Sequence, residues 1–413
     1  MKIERRAAAL GLMLLTLASC ASQPRTPIPE EAIALSAPYN IPGTLRSWGD
    51  TLGDRSLAAV RAELTARTAA THAGAITTGT RASETLLALS GGGADGAFGA
   101  GVLAGWSERG DRPVFDVVSG VSTGAIIGLF AFLGPDYDAV LREFYTAYST
   151  EDLLEPAPFS ALTGGAALSD TRAYNGLIER YIDDAVVAAL AAESERGRTL
   201  LIGTTNLDAA RPVIWNVTNI ARTRHPEAIT LIRDLIRASS AIPAVFPPVV
   251  IPSVAPGGEV FDELHVDGGA TQQVMVFSPE LSIREIDTAL GLKIDRTLYV
   301  MVNNALEKVY DPVDLGVLSI AGKAISSLIG GSSTGDLYKI FAITERDGVE
   351  LRILAVPKSF DLEPREAFDT TYMRALYDLG RAIGQEGAHW ASEPPNFVRA
   401  TSQGSKNNAA ARP

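Results

Sequence analysis

The sequence predicts an α/β protein with a largely parallel central sheet covered by helices on both faces. Three observations lead there. Short apolar, β-branched runs alternate with segments of helical periodicity from about residue 84 to 390. Two of the strand-to-helix joints are glycine-rich, and such sheets hold ligands beyond the carboxyl ends of their strands. The composition, 46% hydrophobic and 20% charged over 413 residues, supports a large core.

The chain opens with "MKIERR", then the apolar run "AAALGLMLLTLAS". Basic residues before a short apolar run ending in small residues predict a secretory signal over 1–19, too short to span a membrane. The single cysteine, Cys20, follows directly. Leu17-Ala18-Ser19-Cys20 resembles the lipobox of bacterial lipoproteins. That resemblance implies cleavage before Cys20 and lipid attachment to it, and Ala21 in place of Asp points to the outer membrane, facing the periplasm. The alternative is an ordinary exported protein with a leftover thiol. With Cys20 lipidated no disulfide is possible.

Residues 21–45 are rich in Pro and Ser and read as a tether. Residues 54–68 have helical periodicity, and "THAGAITTGT" (71–80) reads as a loop. The segment 20–83 thus holds the lipid-attachment cysteine, tether and N-terminal helix, ahead of a catalytic domain at 84–390. Strands are predicted at 85–90, 114–119, 199–206, 211–217, 297–304 and 350–356. Helices are predicted at 96–109, 123–134, 136–148, 172–182, 226–239, 313–346 and 365–388. "LIGGSSTGD" (328–336) lacks the Gly-Lys-Ser/Thr end of a P-loop and reads as a break in or beside a long helix. Trp106 and the run 130–132 read as core. Residues 391–413 form a polar tail expected to be disordered.

"SGGGADGAFGAG" (90–101) joins the first strand to a helix. Three consecutive glycines cost conformational entropy, so something must require them. Backbone N–H groups aimed at an anion beside a helix N-terminus would do so. One candidate anion is a cofactor pyrophosphate. Gly91-x-Gly93-x-x-Gly96 matches a dinucleotide fingerprint, with Asp116 twenty residues beyond. Asp116 lies near the start of its strand, however, whereas a ribose-binding acid belongs at the end. The other candidate is a transient oxyanion on a substrate carbonyl.

Gly120-Val121-Ser122-Thr123-Gly124 links the second strand to the second helix. A Gly-x-Ser-x-Gly in a strand–turn–helix context predicts a nucleophilic serine at a helix N-terminus, where partial positive charge favours an alkoxide. Ser122 then needs a base. Of four histidines, His72 lies in a polar loop, His225 precedes a helix, and His389 follows the last one. His265 lies in "ELHVDGGA" (263–270), a strand ending at Gly268-Gly269, and alternation puts it on the same face as Asp267. The pair could supply two metal ligands, but no third is nearby. Asp267 is the stronger base, because a sharp glycine turn leaves its carboxylate at the sheet end. Its unperturbed pKa of about 3.9 would be raised in dry surroundings.

"ALSGGGADGAFGAGVL", "GVSTGAIIG", "ASSAIPAVFPPVV" and "HVDGGA" together resemble the patatin-like phospholipases in order and spacing, with 145 residues from serine to aspartate. The resemblance implies a three-layer α/β/α sandwich and lipid acyl hydrolysis by a Ser–Asp dyad, with no metal or other cofactor. It makes Ser122 the nucleophile, Asp267 its base and Gly91, Gly92 and Gly93 the oxyanion loop. Gly96, Gly120, Gly124, Gly268 and Gly269 are motif glycines. Asp95 stands where the family often has Arg or Lys, which puts a preference for anionic headgroups in doubt.

The expected function is therefore a serine ester hydrolase acting on acyl lipids, held at the envelope by its N-terminal lipid. An acyltransferase using the same dyad and an inactive envelope scaffold are the alternatives. A net charge of −12 without a basic block excludes a nucleic-acid partner and gives no attraction to anionic lipid. Oligomeric state, headgroup and acyl preference are not legible.

Overall fold

The computed structural model describes residues 25–156, 169–243, 245–306 and 312–398. The predicted signal segment, Cys20 and 399–413 of the predicted tail lie outside them.

Among the described residues twelve strands are formed: β1 (Ala37–Pro38), β2 (Arg46–Trp48), β3 (Ala82–Leu89), β4 (Val117–Val121), β5 (Glu155–Pro156), β6 (Ser169–Asp170), β7 (Thr199–Asn206), β8 (Arg211–Asn216), β9 (Val249–Val254), β10 (Val260–Asp267), β11 (Ile294–Val302) and β12 (Glu350–Ala355). Ten build the central sheet, in the order β1-β9-β10-β7-β4-β3-β11-β12, with β8 pairing β7 and β2 pairing β8. The run β7-β4-β3-β11-β12 is parallel. The pairs joining β10, β9, β1, β8 and β2 are antiparallel. The fold is α/β, with a parallel centre flanked by helices and an antiparallel wing.

Alternation along the parallel strands splits the core in two. Leu87, Leu89, Val118, Leu200 and Ile202 face one side, beneath the helices Gly96–Arg109, Thr123–Leu133 and Ala228–Ser239. Leu86, Ala88, Leu298 and Val300 face the other, against Leu337, Ile340 and Phe341 of the long helix Val317–Asp347. Trp106 sits in the first core against Phe115, Tyr299 and Trp390. Phe130 and Phe132 are also buried there.

Four expectations need correction. Residues 25–45 are not a free tether. They form a helical turn Glu30–Ile33 and β1, and Ile28, Ile33, Ile41 and Leu45 are buried. Prolines permit this extended edge pairing, and the apolar residues between them anchor it. Tyr39 donates its hydroxyl to Asp234, and Arg46 pairs with the fully buried Glu263 at 2.6 Å. Residues 71–80 are not a loop throughout, since a helix runs Ala73–Thr78 after Asp54–Thr71, and His72 between them bonds Glu84 at 2.8 Å. The stretch 328–336 is no break, because the long helix runs through its glycines. Finally, β9 was not foreseen in the proline-rich 243–252.

Candidate active site

β4 ends at Val121, so the elbow falls on Ser122, with φ 55° and ψ −126°, immediately before the helix Thr123–Leu133. A positive φ at a non-glycine residue costs on the order of 1–3 kcal/mol and persists only where neighbours fix it. Here the Ser122 N–H donates to Ser239 Oγ at 2.8 Å, and the Ser239 hydroxyl donates to the Gly203 carbonyl at 2.7 Å. The motif glycines make the crowding tolerable. A Cβ at Gly96, Gly120, Gly124 or Gly268 would come within 2.1–2.6 Å of a neighbouring atom, for Gly124 the Leu89 carbonyl oxygen.

Asp267 ends β10 and is as buried as Ser122, each 6% exposed. Ser122 Oγ donates to Asp267 Oδ2 at 2.7 Å. The other carboxylate oxygen accepts the Gly269 N–H at 2.7 Å, which is what the Gly268-Gly269 turn achieves. Burial pushes the Asp267 carboxyl up to about 6, against the lowering effect of these two hydrogen bonds. None of the four histidines hydrogen-bonds Ser122 among the described residues. His265 shares the strand but is fully buried, with Nδ1 3.0 Å from Thr204 Oγ1 and Nε2 3.6 Å from Glu263. It does not converge with Asp267 on a common point.

The glycine loop passes directly over the serine, and a Cβ on Gly91 would lie 3.2 Å from Ser122 Cβ. Gly92 (φ 156°) and Gly93 (φ 56°) take conformations that side chains disfavour. Gly91 differs from the other two in one respect. Its N–H donates to the Gln273 carbonyl at 3.2 Å, whereas those of Gly92 and Gly93 have no acceptor among the described residues. The donors available to an oxyanion are thus two of the three expected. Asp116 bonds the Thr85 N–H at 2.8 Å, just before β4 and remote from the loop at the strand ends. No ribose-binding acid accompanies the fingerprint.

Sequence reasoning missed the residues that hold this loop. Asn303 Nδ2 donates to the Ser90 carbonyl at 2.9 Å, and Asn304 Nδ2 to that of Gly91 at 3.1 Å. Asp336 of the long helix accepts the N–H groups of Gln273 and Val274 at 2.7 and 3.2 Å. Two asparagines at the carboxyl end of an apolar strand were a readable signal, and Ser239 stood inside the motif "ASSAIPAVFPPVV" with no role assigned to it, but Gln273 and Asp336 carried none. Asp95 accepts the Tyr372 hydroxyl at 2.7 Å, and burial pushes its carboxyl up to about 6.

A pocket with about 490 Å³ of empty space opens at Ser122. Ile126, Phe144, Leu153, Phe246, Phe368 and Met373 line it, and none of its lining residues is charged. An apolar cleft beside a serine–carboxylate pair and two unpaired N–H donors can hold an acyl chain with its carbonyl at the serine.

The patatin-like phospholipase family model matches residues 87–277. VipD from Legionella pneumophila is similar at 12% identity and a TM-score of 0.30, over 74% of this chain and 67% of that one. Full-length ExoU, solved with SpcU from the type III secretion system of Pseudomonas aeruginosa, is similar at 14% identity and a TM-score of 0.29, over 74% of this chain and 52% of that one. No curated protein gives a significant match. Among the described residues no helix is long and apolar enough to cross a membrane.

Proposed function

From the match of the patatin-like phospholipase family model to residues 87–277, we propose that the protein hydrolyses acyl-lipid esters through Ser122 and Asp267. The 2.7 Å hydrogen bond from Ser122 Oγ to a buried carboxylate carries this reading. Ser122 attacks the ester carbonyl as its proton passes to Asp267 Oδ2. The oxyanion is held by the N–H groups of Gly92 and Gly93, beside the N-terminus of the serine helix. When the tetrahedral intermediate collapses, the alcohol leaves with the proton from Asp267. Water then attacks the acyl-serine, with Asp267 accepting its proton, and as the second tetrahedral intermediate collapses that proton returns to Ser122 Oγ and the fatty acid is released. An aspartate suits both directions of transfer because burial brings its pKa close to neutral. The uncharged pocket favours recognition through the acyl chain over recognition of an anionic headgroup. Lipidation of Cys20 would hold the enzyme at the outer membrane, facing the periplasm.

Purified protein incubated with a mixed lipid extract, followed by mass spectrometry, should show loss of acyl esters and gain of free fatty acid. Ser122→Ala should abolish both this and labelling by a fluorophosphonate probe. Undiminished fatty-acid release by Ser122→Ala would overturn the proposal.

A further inference from the structure

The molecule has a second cavity, away from Ser122. It lies over the sheet face that carries Leu86, between the sheet and the helices Asp54–Thr71 and Ile283–Leu290, with about 1060 Å³ of empty space open at one side. The surface facing the cavity is mainly apolar, with Val60, Leu64, Leu86, Val117, Leu201 and Ile286 contributing, while polar and charged residues ring it. Ordinarily a helix over a sheet closes such a gap, because apolar walls facing a void lose their dispersion partners. Here the helix Asp54–Thr71 rides high, and Thr68 alone of its described side chains is buried.

The polar groups at the cavity edge differ in how they are satisfied. Arg46 is paired with Glu263, and Arg296 with Glu84 and Asp287. Glu63 accepts the Asn219 amide. Arg67 is the exception. Its Nη1 donates to the Gly197 carbonyl at 2.9 Å and to Thr199 Oγ1 at 3.3 Å, both neutral. Among the described residues it touches no carboxylate, and burial lowers its pKa. An apolar-walled cavity ending at a half-buried guanidinium, with Glu84, Asp116 and Glu63 near it but none of them in contact, matches an aliphatic chain ending in a carboxylate.

We propose that this cavity is a binding site for a free fatty acid, with the chain against the Leu86 face and the carboxylate at Arg67. It is separate from the Ser122 pocket, whose lining residues it does not share, and its occupancy does not depend on the chemistry at Ser122.

The test is titration of the full-length Ser122→Ala protein with palmitate and with hexadecanol, followed by intrinsic tryptophan fluorescence and native mass spectrometry. Saturable binding of palmitate is expected, lost in Leu201→Trp, which fills the cavity, and kept in Ile126→Trp, which fills the serine pocket. Should Leu201→Trp not fold, as judged by circular dichroism, Val60→Trp fills the same space from the helix side. Arg67→Met should weaken palmitate by about tenfold or more and leave hexadecanol unchanged, since a hydrogen bond to a charged group is the contact removed. Absence of saturable binding, or binding lost in Ile126→Trp and kept in the cavity-filled variants, overturns the site. Equal weakening of both ligands by Arg67→Met overturns the carboxylate assignment. Because no readout is turnover, a protein that proves inactive on esters leaves this result standing on its own.

Discussion

Replacing Asp267 by asparagine should make the protein more stable and nearly inactive at once. Burial lifts the carboxyl from its ordinary 3.8 to about 6, because an enclosed carboxylate loses its hydration. The native state therefore binds the proton more tightly than the unfolded chain. The resulting penalty is absent below about pH 4, grows as pH rises towards 6, and is complete above it. At about 1.36 kcal/mol per pH unit it reaches about 3 kcal/mol. Asparagine removes the charge while remaining able to bond Ser122 and Gly269. Asp267→Asn should unfold at higher urea than wild type at pH 8, with the advantage vanishing near pH 4. In hydrolysis the same change removes the proton acceptor and should lower kcat by at least about 10²–10⁴. For the wild type, kcat/KM should fall as pH drops through about 6, leaving about one-tenth of the plateau at pH 5. A base of ordinary aspartate pKa would retain about nine-tenths there. Chromatographic measurement of released fatty acid from a neutral diacyl ester, paired with urea titration by fluorescence, reads both effects. A kcat/KM plateau unbroken down to pH 4.5, or wild-type turnover by Asp267→Asn, would refute the reasoning.

Two further substitutions probe other links. Gly92→Ala places a Cβ 2.4 Å from the Asn303 carbonyl oxygen at a φ of 156°, so the loop must shift. Loss of a correctly placed oxyanion donor should lower kcat by about 10²–10³, with little change in KM in steady-state assays. Arg46→Met leaves the fully buried Glu263 without its guanidinium partner and should cost about 3–5 kcal/mol in urea unfolding. Although burial opposes it, Arg46 holds the Glu263 carboxyl far below its ordinary 4.5. That stability is present above pH 4.5 and declines as the wild type is acidified.

The parallel strands were legible because they are buried on both faces and read as unbroken apolar runs, so "TLLIGTTN" came out with its observed bounds. β9 did not. Pro247, Pro248 and Pro252 interrupt the strand pattern, yet the strand forms and the Pro252 carbonyl accepts the Tyr39 N–H. The helix Ala73–Thr78 was hidden by threonines and glycines of low propensity. At the site, the residues on sharp turns announced themselves through local backbone chemistry, which is why Ser122, Asp267 and the glycines could be named. Their supports could not be. Ser239 reaches Ser122 across 117 residues and Asp336 reaches Gln273 across 63, and local sequence pattern does not say that segments so far apart meet.

The docking of residues 25–48 bears on where the enzyme can work. Arg25 is already paired with Asp208, and the Thr26 N–H donates at 2.8 Å to Asp262, which opposes Pro252 on β9. If acyl chains are attached at Cys20, only five Cα–Cα steps separate the bilayer surface from a fixed point on the body, a leash of at most about 18 Å. A free stretch to residue 45 would have let the enzyme roam several times farther. Under the proposed lipidation, so short a leash would confine the protein to a thin layer next to that membrane and would make neighbouring lipids, rather than distant solutes, the esters it meets first.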